Sequence, residues 1–245
     1  MTTFVTRKIE TVFSGHITLF RIFTMTSMYD TIMFLPLFKG VTEEDVSVFL
    51  EKTRLVFDNY NAGDVIIDKG EVVERLGFVV SGKVIVEMPL SGGKVIVRQT
   101  LGRGFWLEPE SLFGYVRESR SKIVSNGKSG ILWLTRAQLF DVFEDNCLCR
   151  LNLMNYLCYR AQCRQLTAEY ATEGRELERW LAIVLANTTE RRAQTVRIEV
   201  EISVLAGILG LRESEVRAQI LSLTRRKDLR YVKGVFNIYN RRDYF

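Results

Sequence analysis

The residues best suited to engage another molecule gather near the C-terminus. Arg212, Glu213, Ser214 and Arg217 lie close together, and Arg225, Arg226, Lys227 and Lys233 follow. Guanidinium forks, short hydroxyls and carboxylates are the groups that reach base edges and phosphates in a major groove, and lysines supply point charges to a phosphate backbone. A solvated surface without a partner carries the same residue types. The elements beneath these side chains therefore have to decide between the two readings.

Chemistry of other kinds is poorly provided for. The one histidine is His16, remote in sequence from the four cysteines, Cys147, Cys149, Cys158 and Cys163. Their spacing lacks the paired Cys-x-x-Cys pattern of a zinc or redox site, and while the count would allow an iron–sulfur cluster, nothing in the spacing favours one. They read as buried or half-exposed free thiols of a cytoplasmic protein. With no Gly-x-Ser-x-Gly motif either, no enzymatic role, metal or certain cofactor is expected.

The stretch from Ile202 to Leu223 supplies the missing elements. Leu205, Ala206 and Leu209 form the inner face of one helix and Gly210 permits a tight turn. Val216, Ile220 and Leu223, at i, i+4 and i+7, form the inner face of the next, which makes a helix-turn-helix. Arg212, Glu213, Ser214 and Arg217 then fall on the outer face of the second helix. Arg230 to Tyr239 reads as a hairpin turning at Lys233-Gly234, the wing of a winged helix. Charge agrees with that placement: the whole chain holds 34 Lys+Arg against 29 Asp+Glu, and residues 174–245 hold 14 against 9, so the entire excess lies there. A polyanionic partner, double-stranded DNA, is the reading this supports.

Upstream the texture differs. Of the 17 glycines, 11 fall between Gly63 and Gly130, where apolar residues alternate in Val65/Ile67, Leu76/Phe78/Val80, Val84/Val86/Met88 and Val95/Val97. Short strands at this spacing close into a sandwich or jelly roll, with hairpin turns expected at Ser91-Gly92-Gly93 and at Ser81-Gly82. Thr42, followed by Glu43, Glu44 and Asp45, caps a helix before them. From Thr135 the spacing turns helical: a short helix over 135–144, then a long one from about Cys147 to Ala171. Its stripe at Leu151, Met154, Cys158, Ala161 and Ala168 is either a coiled-coil dimer seam or a face lying on its own β-domain. Residues 1–27 are apolar with a few basic residues, too short for a membrane span. They read as an extension, or as the product of a start codon upstream of Met28.

The order of these parts resembles the Crp/Fnr family of bacterial transcription regulators. LPLFKGVTEEDV at 35–46, NAGDVIIDKGE at 61–71, FVVSGKVIV at 78–86 and the helix-turn-helix carry the resemblance. It implies an α+β fold with a jelly-roll sensor domain of cyclic-nucleotide-binding type over 28–145, a dimerisation helix over 146–173 and a winged-helix DNA-binding domain over 174–245. It also implies a homodimer on a pseudo-palindromic operator, answering a small-molecule effector through a hinge near Thr172-Glu173-Gly174, with RNA polymerase as a further partner. The alternative is a ligand-binding or scaffolding module whose winged helix contacts protein.

Two departures from the family qualify that picture. Members that bind cyclic AMP carry a Gly-Glu pair ahead of a short phosphate-binding helix and an Arg-Ser or Arg-Thr pair that holds the cyclic phosphate. Here Glu108-Pro109 stands in place of the first pair, followed by Glu110, while Arg120-Ser121 keeps the second. Proline has no amide to donate and the carboxylates bring charge of the wrong sign. Three readings stay open: Arg120 pairs internally with Glu108 or Glu110 in a pocket without a ligand, a different small effector binds there with help from Phe105 and Trp106, or a cyclic nucleotide binds after all. In the second helix, Arg212, Glu213 and Arg217 reproduce the family's Arg-Glu-Arg spacing one position early, so the bases read should differ.

Overall fold

The computed structural model describes residues 28–170, 175–190, 192–226 and 229–239, without the side chains of 166–170 and 226. The extension 1–27, the expected hinge at 172–174, the Ala168 and Arg226 side chains and Lys227 lie outside the described residues.

Helix α1 (Met28–Met33) leads to α2 (Glu43–Lys52), which the Thr42 hydroxyl caps by accepting the Asp45 amide at 3.2 Å, with Glu43, Glu44 and Asp45 at the positive end of the helix dipole. The alternating region becomes eight strands: β1 (Val56–Tyr60), β2 (Val65–Ile67), β3 (Arg75–Ser81), β4 (Val84–Leu90), β5 (Val95–Leu101), β6 (Trp106–Leu107), β7 (Lys122–Ser125) and β8 (Ser129–Thr135). One sheet has the order β1-β8-β3-β6, and β5-β4-β7-β2 run together in the other. Strands β3 and β8 are buried on both faces. Leu76, Phe78, Leu132 and Leu134 pack toward the helices, while Val79, Ile131 and Trp133 join the apolar cluster between the sheets.

Two local expectations change. Val65 is exposed and Ile66 is buried instead, because the pairing of β2 with β7 is irregular between Val65 and Ile67. Ser91–Gly93 does turn a β4–β5 hairpin, but Ser81-Gly82 does not: β3 pairs with β8 and β6, β4 with β5 and β7, so the chain crosses between sheets there. Gly82 has φ +72° and its backbone comes so close to the neighbouring strand that a Cβ would lie 2.1 Å from the Lys128 carbonyl oxygen. That close approach is a tertiary constraint, invisible in a Ser-Gly pair.

Short helix α3 (Pro109–Phe113) follows β6. Helix α4 (Arg136–Asp145) opens with a capping box between Thr135 and Gln138 and leads into α5 (Cys147–Tyr170). Helix α5 has two faces: Cys149 and Leu153 are buried against the sandwich, while Leu148, Leu151, Met154 and Cys158 are exposed. Burial pushes the Cys149 thiol up to about 12, Cys163 is half-buried and Cys147 is exposed.

The C-terminal part comprises α6 (Glu176–Thr188), β9 (Thr195–Val200), α7 (Ile202–Leu209), α8 (Glu213–Arg226), β10 (Leu229–Val232) and β11 (Val235–Ile238). Strand β9 pairs with β11 on one side and, on the other, with β5, in register from Val95↔Val200 to Thr100↔Thr195. The sandwich sheet and the C-terminal strands are therefore one seven-stranded antiparallel sheet, β10-β11-β9-β5-β4-β7-β2. Side chains reinforce the join. Arg98 forms ion pairs with Glu87 on β4, at 2.8 Å, and with Glu199 on β9. The buried Gln99 amide donates to the Thr188 carbonyl at 3.1 Å and accepts the Glu190 amide at 2.7 Å. One apolar cluster accordingly runs from Val84, Val97 and Ile123 to Leu205, Val216 and Phe236. Among the described residues no helix is long and apolar enough to cross a membrane.

Candidate functional site

Helices α7 and α8 meet around Gly210, whose φ of +67° places it in the left-handed region that closes helix α7. Val216, Ile220 and Leu223 are 0%, 8% and 2% exposed, so the inner face of α8 is the one its spacing indicated. This burial turns Arg212, Glu213, Ser214 and Arg217 outward. Arg212 precedes the helix, and Glu215 reaches back to accept both its amide and its guanidinium at 2.9 Å. Those hydrogen bonds hold Glu215 below the ordinary carboxylate range and strengthen the charge on Arg212. Arg217 pairs with Glu213 at 3.5 Å. With 81% and 63% of their side chains exposed, the two arginines sit in water-screened surface ion pairs, which a better acceptor can displace.

The hairpin packs against α8 through its first strand. Strands β10 and β11 pair from Leu229↔Ile238 to Val232↔Val235, Lys233 and Gly234 turn the chain with φ of +49° and +81°, and the Tyr231 hydroxyl donates to the Val200 carbonyl at 2.9 Å. Lys233, Arg225 and Arg230 are exposed. A residue the sequence did not single out orients α8: Gln219, 9% exposed, accepts the Leu177 amide at 3.1 Å and donates to Glu176 at 2.8 Å, tying the helix to the start of α6.

In the sandwich, a cavity of about 190 Å³ is lined by Glu108, Glu110, Ser111, Arg120 and Ser121 together with Arg160 of α5. The expected ion pair from Arg120 to Glu108 or Glu110 is absent: Arg120 is exposed, and both carboxylates have other partners. Glu108, left-handed at φ +51°, accepts hydrogen bonds from the fully buried Ser121 hydroxyl and, at 3.1 Å, from Ser111. Glu110 receives Arg160 at 3.0 Å and Arg164 at 3.4 Å. Two cations of α5 already meet Glu110, and Glu108 is turned to the two serine hydroxyls instead of Arg120.

Arg160 is the hub of this region. Its guanidinium also meets Glu190 at 3.0 Å and donates to the Thr189 carbonyl at 2.8 Å, joining α3, α5 and the end of α6. Burial works against the Arg160 charge, but Glu190 and Glu110 outweigh it and raise its pKa further. Tyr156 donates to Glu190 at 2.6 Å, and its pKa is raised first by burial and then by that carboxylate. Arg160, Arg164 and Glu190 carry no motif, and only the fold brings them to the pocket.

The pocket does not fit a cyclic phosphate. Ser121, the hydroxyl in register to hold one, is spent on Glu108, Pro109 has no amide to offer, and the cavity is smaller than the roughly 300–1,000 Å³ of ordinary ligand pockets.

Comparison with known proteins fits this geometry. Residues 57–146 match the family model of the cyclic nucleotide-binding domain. No curated protein matches the chain. Among solved structures, the Thermus thermophilus catabolite activator protein is similar at 22% identity and a TM-score of 0.51, covering 83% of this chain and 93% of that one. Reduced CprK without ligand aligns at 18% identity and TM-score 0.40, over 77% of this chain and 91% of that chain. The sensor domain of the regulator DNR from Pseudomonas aeruginosa aligns at 14% identity and TM-score 0.45, over 59% and 91%. The chain therefore carries a cyclic nucleotide-binding domain over residues 57–146 and shares the fold of a catabolite activator protein.

Proposed function

We propose that the protein is a homodimeric, effector-responsive DNA-binding regulator. In this reading residues 174–245 form a winged helix-turn-helix domain, 146–173 the dimerisation helix and 28–145 the sensor. The observation that carries it is the orientation of α8: Val216, Ile220 and Leu223 are buried, while Arg212, Glu213, Ser214 and Arg217 stand outward and exposed. Arg212, Glu213, Ser214 and Arg217 would meet base edges and nearby phosphates, and Lys233 the backbone. Helix α5 supports the dimer, since one face packs on its own sandwich and leaves Leu148, Leu151, Met154 and Cys158 for a second copy. Two copies would present the basic excess twice, to half-sites about one helical turn, roughly 34 Å, apart. The effector, in this reading, is a molecule other than cyclic AMP.

Fluorescence anisotropy with the duplex upstream of the protein's own gene tests the proposal. Affinity is expected to fall linearly in log K against log salt. Arg212→Ala or Arg217→Ala should cost about 1–3 kcal/mol and relax sequence preference, whereas Lys233→Ala should weaken all sequences alike and lower the salt slope by about 1. No binding at low salt would overturn it.

A further inference from the structure

A second, larger cavity lies where the sandwich meets the C-terminal part. It measures about 910 Å³, and its walls come from Phe34, Arg103 and Trp106 on one side, Tyr156 of α5, and Arg192 and Tyr239 on the other. It lies beside the join between β5 and β9: the segment 192–195 enters β9 beside Thr100, where the Gln194 amide donates to the Thr100 carbonyl at 2.8 Å.

Its chemistry is specific. Trp106 and Tyr156 stack at 5.1 Å and form a back wall that neighbouring groups hold in place, since the Tyr156 hydroxyl is committed to Glu190. Phe34 and Tyr239 are exposed at the mouth, and the Arg103 guanidinium sits 4.3 Å from the Phe34 ring centroid. Arg103 and Arg192 are exposed, and neither forms an ion pair among the described residues. The one acidic residue in the described lining, Glu190, is neutralised by Arg160 at 3.0 Å. A volume in the ligand range, aromatic walls and two uncompensated guanidiniums are complementary to a flat ring bearing negative charge.

We propose that this cavity is a binding site for a small aromatic anion, its ring against the aromatic walls and its charge toward Arg103 and Arg192. The site is distinct from the pocket around Glu108. Because its walls belong to both sides of the β5–β9 join, a molecule bound there favours the joined arrangement and slows the opening of β9.

Isothermal titration of the full chain with 2-naphthoate and with adenosine 5′-monophosphate separates carboxylate from phosphate as the anionic group, and neutral 2-naphthamide is the control. Saturable binding of at least one anion is expected, weaker by at least about tenfold for the amide and for Arg103→Glu/Arg192→Glu. Both arginines are exposed, so that variant should fold, and Tyr239→Ala gives a second variant expected to weaken binding. Hydrogen exchange of the β9 amides should slow when the preferred anion is bound. Equal binding of the amide, no effect of either variant, or no saturable binding at millimolar probe overturns the proposal. The titration contains no DNA, so its failure leaves the reading of α8 standing.

Discussion

The charged residues around α3 and those on α8 are the same types in opposite circumstances. Arg160 is 12% exposed in its side chain and ties three elements together through Glu110, Glu190 and the Thr189 carbonyl. Arg212 and Arg217 lie in pairs made with neighbours three and four residues away, in contact with water. A guanidinium withdrawn from water has to keep its partners, because its desolvation is offset only by them. An exposed one can change partners freely. The first region holds the structure together and the second is available for recognition.

That contrast can be broken by mutation. Arg160→Ala should be the most damaging change, costing about 3 kcal/mol in urea denaturation, because it removes the cation from Glu190 in a partly dry site and leaves Glu110 with Arg164 alone. Retained stability would mean the hub is solvated after all. Arg98→Ala should cost less, about 1 kcal/mol, since its side chain and those of Glu87 and Glu199 are each about a third exposed. Its effect should be local: faster hydrogen exchange in β9 with the β3–β8 amides unchanged. A uniform acceleration would show that the sheet opens as one unit. Arg217→Ala should move stability by less than about 0.5 kcal/mol, so any larger shift in the melting curve would place it with the structural arginines.

Sequence reading succeeded wherever the information was local. Thr42 caps the helix it precedes, Val216, Ile220 and Leu223 share the buried face their spacing indicated, and the turn at Lys233-Gly234 joins the two strands expected. It failed where partners are distant. Ser81-Gly82 looks like a hairpin turn, yet β3 and β4 belong to different sheets. One reading paired Arg120 with Glu108 or Glu110, yet Ser121 takes the first and Arg160 the second, the latter from 50 residues away in sequence.

By itself, then, the sequence determined the elements and their amphipathic faces, because periodicity, caps and turn residues act within a few positions of the chain. It also located the basic excess and the outward face of α8. The tertiary structure alone decided which strand edges meet and which charges pair. The joining of β9 to β5 and the grip of Arg160 on Glu110 and Glu190 follow from how closely distant segments approach, and burial then selects which of several nearby charges can keep a partner.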